Sequence, residues 1–220
     1  LVFQLSVNVA AILVVFLGPF FGIDLPLTMT QLLWINIIMD TLAAFAFSGE
    51  IALQRYLHEK PNSIDAPLIS NDMWSAILVN GITIAILSLF FLTSDTIAGW
   101  FLCDPLRCGD PADSNYDGKA VLLTAFFGFF VFINNFNKFN SRTESLNLFE
   151  HLLENKNFMF VVALIFLLQI VFTYFGGEVL RTVGLSLHEW LYILALSFLI
   201  IPVDLTRKFI RNHFFGNPVV

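Results

Sequence analysis

The sequence predicts an all-α membrane protein, a bundle of six transmembrane helices. Three observations predict it. The 220 residues are 57% hydrophobic and only 13% charged, where soluble domains carry about 25% charged residues. The mean hydropathy is +0.79. The apolar residues also gather into runs near the ~20 residues that cross a hydrocarbon core, without the period-two alternation of barrel strands.

The six spans read as roughly 1–22, 29–48, 72–94, 119–138, 157–175 and 187–206. Pro19, Pro26, Pro61, Pro67, Pro105 and Pro111 fall between spans, where a missing N–H costs little. Trp34, Trp74, Trp100 and Trp190 fall mostly near span ends, where amphipathic rings meet the interface. Gly176-Gly177 predicts the end of the fifth helix. No basic segment or small-residue cleavage site precedes the first run, so it does not read as a signal peptide. A start inside a hydrophobic segment predicts a piece of a larger protein.

Basic residues assign the sides. Arg55, Lys60, Lys138, Arg142, Lys156, Arg207, Lys208 and Arg211 follow even-numbered spans or begin the next, against Arg107, Lys119 and Arg181 opposite. This bias predicts both termini in the cytoplasm. Loop 95–118 is then extracytoplasmic. It is rich in Asp (95, 104, 110, 113 and 117) and holds Cys103 and Cys108, whose spacing leaves both a bridge and two free thiols open. That loop offers no His and no further Cys for zinc. A net charge of −6 and the lack of a basic, aromatic-interleaved stretch argue against nucleic-acid binding. The partner the composition calls for is a lipid bilayer.

The second span carries the strongest functional signal. Asp40 sits inside an apolar run, one helical turn after Asn36. A carboxylate at bilayer depth costs roughly 2.5–3.5 kcal/mol on insertion scales, and such groups mark ion or proton pathways. No Lys or Arg is predicted at its depth. Gln4 and Asn8 share a face of the first span in the same i,i+4 register. The short link 23–28 predicts antiparallel neighbours whose polar faces meet. Asn134, Asn135 and Asn137 close the fourth span, beside Lys138. One carboxylate with amide carbonyls is hard-ligand chemistry suited to Ca²⁺. For Asn8 and Asn134 taken alone, interhelical glue is the favoured reading of an amide. Asn134 to Asn137 also fit the cytoplasmic end of a helix.

Asp204 reads as a terminal ion pair with Arg207 and Lys208, and Glu50 and Glu59 as solvated acids. His58, His151, His188 and His213 lie in loops or at ends, with no pair at metal spacing.

At Leu32-Leu-Trp-Ile-Asn36-Ile-Ile-Met-Asp40-Thr-Leu-Ala the sequence resembles the sixth transmembrane helix of P-type cation-transporting ATPases, in the Ca²⁺-pump branch. Phe3-Gln4-Leu5-Ser6-Val7-Asn8-Val9 resembles that family's fifth helix, and Phe136-Asn137-Lys138-Phe139-Asn140-Ser141-Arg142 the end of its eighth. Glu50 to Ser70 resembles the cytoplasmic link to the seventh, and Asp204 to Asn212 the close of the tenth. The likeness covers nearly the whole chain, in order, as helices five to ten.

The resemblance implies metal-binding positions at Asn8, Asn36, Asp40 and Asn134. It also implies differences from two-site Ca²⁺ pumps. Those carry Glu at the position of Ala11, Thr at that of Met39 and Glu at that of Asn134, so the pattern resembles one-site, plasma-membrane-type pumps. The implied function is the membrane-embedded C-terminal part of an ATP-driven cation pump, with Ca²⁺ as the transported ion. ATP and Mg²⁺ would be bound by domains absent from this chain, which holds no Asp-Lys-Thr-Gly-Thr or Thr-Gly-Glu-Ser motif. The fragment alone is therefore expected to be inactive, since the family proceeds through an aspartyl phosphate. The implied location is the plasma membrane or a bacterial inner membrane, with the remaining pump domains as partners. A secondary transporter or channel subunit using Asp40 for proton or Na⁺ coupling is the alternative, and a scaffold held by polar glue a third. No internal repeat supports the secondary transporter.

Overall fold

A computed structural model describes residues 1–48, 69–109, 117–142 and 155–214. Arg55, Lys60, Glu50, Glu59, His58, His151, Pro61, Pro67, Pro111, Asp110 and Asp113 lie outside the described residues, as do the side chains of Met39 and Asp40. The described chain is all helical. Five helices are long and apolar enough to cross a membrane. They are α1 (Val2–Leu17, extended by a 3₁₀ turn at Gly18–Phe21), α2 (Met29–Ser48), α3 (Asn71–Thr93), α4 (Ala120–Arg142) and α5 (Lys156–Phe175).

The sixth predicted span, 187–206, is two helices, α6 (Leu187–Ser197) and α7 (Ile200–Phe214). Pro202 explains the break. It has no N–H to offer the Phe198 carbonyl, and it is tolerated in the first turn of the following helix. The Phe198 carbonyl is met instead by the Ile201 N–H at 3.1 Å, and Leu199 closes a tight turn on Leu196 at 3.2 Å. The fourth span also runs on, to Arg142 rather than 138, so Asn134 to Lys138 do not mark a helix end.

Local chemistry sets the helix starts. Thr28 and Gln31 cap α2 reciprocally: the Thr28 Oγ1 accepts the Gln31 N–H at 3.2 Å, and the Gln31 Oε1 accepts the Thr28 N–H at 2.9 Å. Ser186 and Glu189 build the same box at α6. Asn155 caps α5 through the Phe158 N–H at 2.9 Å and donates its amide to the Ala46 carbonyl at 3.3 Å, tying the end of α2 to the start of α5. α5 ends where Gly176 follows Phe175.

α4 is the axis of the bundle. Phe126, Phe127, Phe129, Phe130 and Phe132 are all buried, and every other long helix touches it. A helix apolar on all sides belongs inside. α1 packs along α3 and only sparsely against α2, while α2 packs along α5. Gly81 permits the α1–α3 approach. A Cβ there would stand 2.9 Å from Val9 Cγ1 and 3.1 Å from the Ser6 carbonyl oxygen.

The loop opposite the chain termini is latched to α6. Cys103 and Cys108 form a disulfide around the single-turn helix Pro105–Cys108. Arg107 donates from one amino group to both Glu189 oxygens at 2.9 Å and from Nε to Asp104 at 2.7 Å. That hydrogen bond holds the Asp104 carboxyl below the usual range, against an opposing effect of burial. Arg107→Gln leaves the buried Glu189 carboxylate without its cation, an expected loss of about 1.5–3 kcal/mol in thermal unfolding. A lowered carboxyl pKa contributes stability that is full above the ordinary Asp value of about 3.9 and is lost as pH falls through the lowered value. The gap between wild type and variant should therefore narrow below about pH 4.

Candidate functional site

α1 and α2 leave an open cleft of about 870 Å³ between them. Asn8 of α1 and Asn36 of α2 both line it, with Ala11 and Leu32 alongside. The link at 23–28 joins the two helices, and the 3₁₀ turn before it ends on Gly22, whose φ of 77° suits a residue without a side chain. The rest of the wall is apolar and exposed: Ile12 is 68% exposed, Phe16 65% and Met29 81%. Two amides thus face a cavity rimmed by apolar side chains that have nothing packed over them among the described residues.

Asp40 lies on α2 one turn beyond Asn36, and i,i+4 residues share a helix face. Its side chain is outside the described residues.

Asn134 sits apart from the cleft, fully buried on α4. Its amide nitrogen donates to the Phe130 carbonyl of its own helix at 2.7 Å, and its Oδ1 accepts no hydrogen bond from the described protein. This is a donor-satisfied amide with a spare oxygen, not glue between helices. Its neighbours do act as glue. Asn135 donates to the Val162 carbonyl of α5 at 3.1 Å, and Asn140 to the Ile200 carbonyl at 3.1 Å.

Lys138, expected at the end of its helix, is fully buried. Its Nζ donates to the Asn135 Oδ1 at 3.1 Å and stands 5.2 Å from the Phe3 ring centroid. Phe3 in turn packs on Phe47, ring centroids 6.2 Å apart. Asp40 lies seven residues before Phe47 on α2, about 10 Å along the helix axis. The described residues contain no group of three or more His, Cys, Asp or Glu. Among the described residues, the oxygens that line the cleft from side chains are those of the Asn8 and Asn36 amides.

Several buried polar residues escaped the sequence reading. Among them, Asn80 mid-way along α3 and Gln169 on α5 are buried, each with an amide oxygen that has no partner among the described residues. An amide inside an apolar run was the available signal, the same that marks Asn36.

Comparison with known proteins fits this geometry. The family model described as "Cation transporting ATPase, C-terminus" matches residues 24–210. The chain is 31% identical over 210 residues to the plasma membrane-type calcium-transporting ATPase 8 of Arabidopsis thaliana, covering 94% of this chain and 19% of that protein. It is 34% identical over 199 residues to the plasma membrane calcium-transporting ATPase mca-1 of Caenorhabditis elegans, covering 89% of this chain and 15% of that protein. The plasma membrane calcium-transporting ATPase 1 of Gallus gallus is likewise 34% identical over 199 residues, covering 86% and 15%. The chain thus spans about a fifth or less of the length of these relatives. A motif-by-motif likeness, a matching family model and identities above 30% over most of the chain agree: this chain belongs to the cation-transporting P-type ATPases, as their C-terminal domain, and is similar to the plasma-membrane-type calcium pumps.

Proposed function

We propose that the chain is the membrane-embedded C-terminal part of an ATP-driven Ca²⁺ pump, and that Asn8, Asn36, Asp40 and Asn134 supply oxygens to the transported ion. The observation that carries this reading is that Asn8 and Asn36, from two successive helices, open on one cleft, with Asp40 one turn further along α2. Amide oxygens and one carboxylate suit a hard cation, and the relatives are named as calcium pumps. Asn134 would join through the oxygen that no described group engages.

These four groups fall short of the 6–8 oxygens Ca²⁺ takes. The missing ligands would come from a helix outside this chain, packed on the exposed apolar rim of Ile12, Phe16 and Met29. Ala11, also on the cleft, offers no oxygen where two-site pumps carry a Glu, which favours one ion per cycle. In the whole protein, ATP and Mg²⁺ bind domains beyond this chain. The domain would extend over residues 1–220 as helices five to ten, with α6 and α7 together as the last, broken crossing. Both termini would face the cytoplasm of a plasma or bacterial inner membrane.

Replacing Asn36 by Ala in the intact protein tests the cleft. Losing one ligand should raise the Ca²⁺ concentration for half-maximal phosphorylation from ATP by about tenfold, the equivalent of ~1.4 kcal/mol. An unchanged half-maximal concentration, at normal expression, rejects the site.

A further inference from the structure

Contacts at both ends of α2 tie it to α5 and to the single turn Gly177–Leu180 that follows. At one end the buried Gln31 donates its side-chain amide to the Leu180 carbonyl at 2.8 Å. Three residues on, the ring centroids of Trp34 and Phe172 stand 3.9 Å apart. At the other end Phe47 meets Phe158, centroids 6.1 Å apart, and the buried Asn155 donates to the Ala46 carbonyl at 3.3 Å. The partners run in opposite order, 31, 34 and 47 against 180, 172 and 158, so the two helices are antiparallel and joined along the whole of α2. Asn36 and Asp40 lie between these ties.

Both hydrogen bonds run from a side-chain amide to a backbone carbonyl, and both donors are buried. Parting the helices at either end would leave a buried donor unmade, which costs the desolvation of that group. The Gln31 amide is also held from its other side, since its Oε1 accepts the Thr28 N–H at 2.9 Å. Its orientation is therefore fixed before it reaches Leu180.

The cleft lies on another side of α2. There α1 and α2 are joined by the link at 23–28 and touch through Phe3 and Phe47, centroids 6.2 Å apart, and the cleft of Asn8 and Asn36 opens between those points. α1 itself is packed along α3 across Gly81. The ligand-bearing helices thus belong to two pairs, α1 with α3 and α2 with α5, and the cleft runs between the pairs. Separating α2 from α5 breaks two buried hydrogen bonds, and widening the cleft breaks neither of them. Motion follows the junction with fewer buried contacts.

We propose that α2 and α5 move as one body when the cleft opens and closes, and that Gln31 and Asn155 are positioning residues that hold Asn36 and Asp40 on that body. The inference rests on the reading of Asn36 and Asp40 as ligands of the transported ion. A helix fixed at both ends presents its oxygens at one place, and a helix freed at one end presents them loosely.

Paired cysteines in the intact protein, joined by a short bifunctional thiosulfonate in a background without other reactive thiols, test this through ATP-driven uptake of labelled calcium. Trp34→Cys with Phe172→Cys bridges α2 to α5, and uptake should continue at the rate of the same protein before bridging. Ala11→Cys with Leu32→Cys bridges the cleft, and uptake should fall to background. Gln31→Leu and Asn155→Leu should each raise the Ca²⁺ concentration for half-maximal phosphorylation by about fivefold, the worth of one hydrogen bond. The maximum per folded protein should not change, and the α2–α5 bridge should restore the Ca²⁺ dependence. Loss of uptake on bridging α2 to α5 overturns the proposal, as does uptake that survives bridging of the cleft. So does an unchanged half-maximal concentration in the Gln31 and Asn155 variants, which decide if the unbridged cysteine pairs are inactive. The ligand reading fails separately, on an Asn36→Ala protein with unchanged Ca²⁺ dependence.

Discussion

Asp204→Ala is expected to remove most of the protein from the folded, membrane-extracted pool. In sequence this residue reads as an ion pair at a helix end. In the fold it is the centre of a buried cluster. Asp204 is 0% exposed and Lys208 1%. The Asp204 Oδ1 accepts from Arg207 at 2.7 Å, and the Lys208 ammonium lies 2.9 Å from Oδ2. Lys208 also donates to the Asn140 carbonyl at 2.8 Å, which fastens α7 to α4. Removing the carboxylate breaks a buried ion pair 2.9 Å long, at a cost of about 3–5 kcal/mol. Total stabilities are only about 5–15 kcal/mol. Fluorescence-detected size exclusion after detergent extraction reads the surviving fraction. Asp204→Ala combined with Lys208→Met should recover part of the loss, because no unpaired charge is then left by the pair. A single variant as stable as wild type would contradict the cluster's structural role.

Gly81→Val is expected to force α1 away from α3. Even the first side-chain carbon would stand 2.9 Å from Val9 Cγ1, 3.0 Å from Val9 Cβ and 3.1 Å from the Ser6 oxygen. All three atoms belong to α1, and two of them, the Val9 Cβ and the Ser6 oxygen, are held by its backbone. Overpacking of this kind costs about 1–3 kcal/mol. Asn8 lies one residue before Val9, so the displacement also reaches the cleft. Thermal unfolding should fall, and Ca²⁺-dependent phosphorylation by the intact protein should need more Ca²⁺. Gly81→Ala should do less, and Val9→Ala beside it should restore most of the difference, because it removes the Cγ1 contact. Additive effects of the two substitutions would show that the two positions do not press on each other.

Much of the fold was legible because it rests on local chemistry. The bounds of α2 could be read from an apolar run, a short link and the turn before it, and Thr28 and Gln31 cap it as their types allow. The i,i+4 amides and carboxylate followed from helical spacing alone. What was not legible depends on distant partners. Residues 134–138 look by composition like a helix leaving the membrane. All but the half-buried Phe136 are buried because α4 is surrounded, with α5 receiving Asn135 and α1 placing Phe3 over Lys138. The short link at 23–28 does bring Asn8 and Asn36 to one cleft. It holds only the helix ends together, however, and the principal partner of α1 is α3, across Gly81. The break in the last span was present in the sequence as Pro202, within an otherwise apolar run. Asn134 does not line the cleft of Asn8 and Asn36, and the ligand role proposed for it rests on one oxygen that no described group engages.

The proposed role of Asp40 is that of an ionised ligand of the transported cation, one turn beyond Asn36. ATP-driven uptake of labelled calcium into sealed vesicles, compared between wild type and Asp40→Asn at matched amounts of folded protein, tests this most directly. The substitution keeps shape and removes charge, so uptake should fall to background. Uptake by the variant at the wild-type rate would contradict the account.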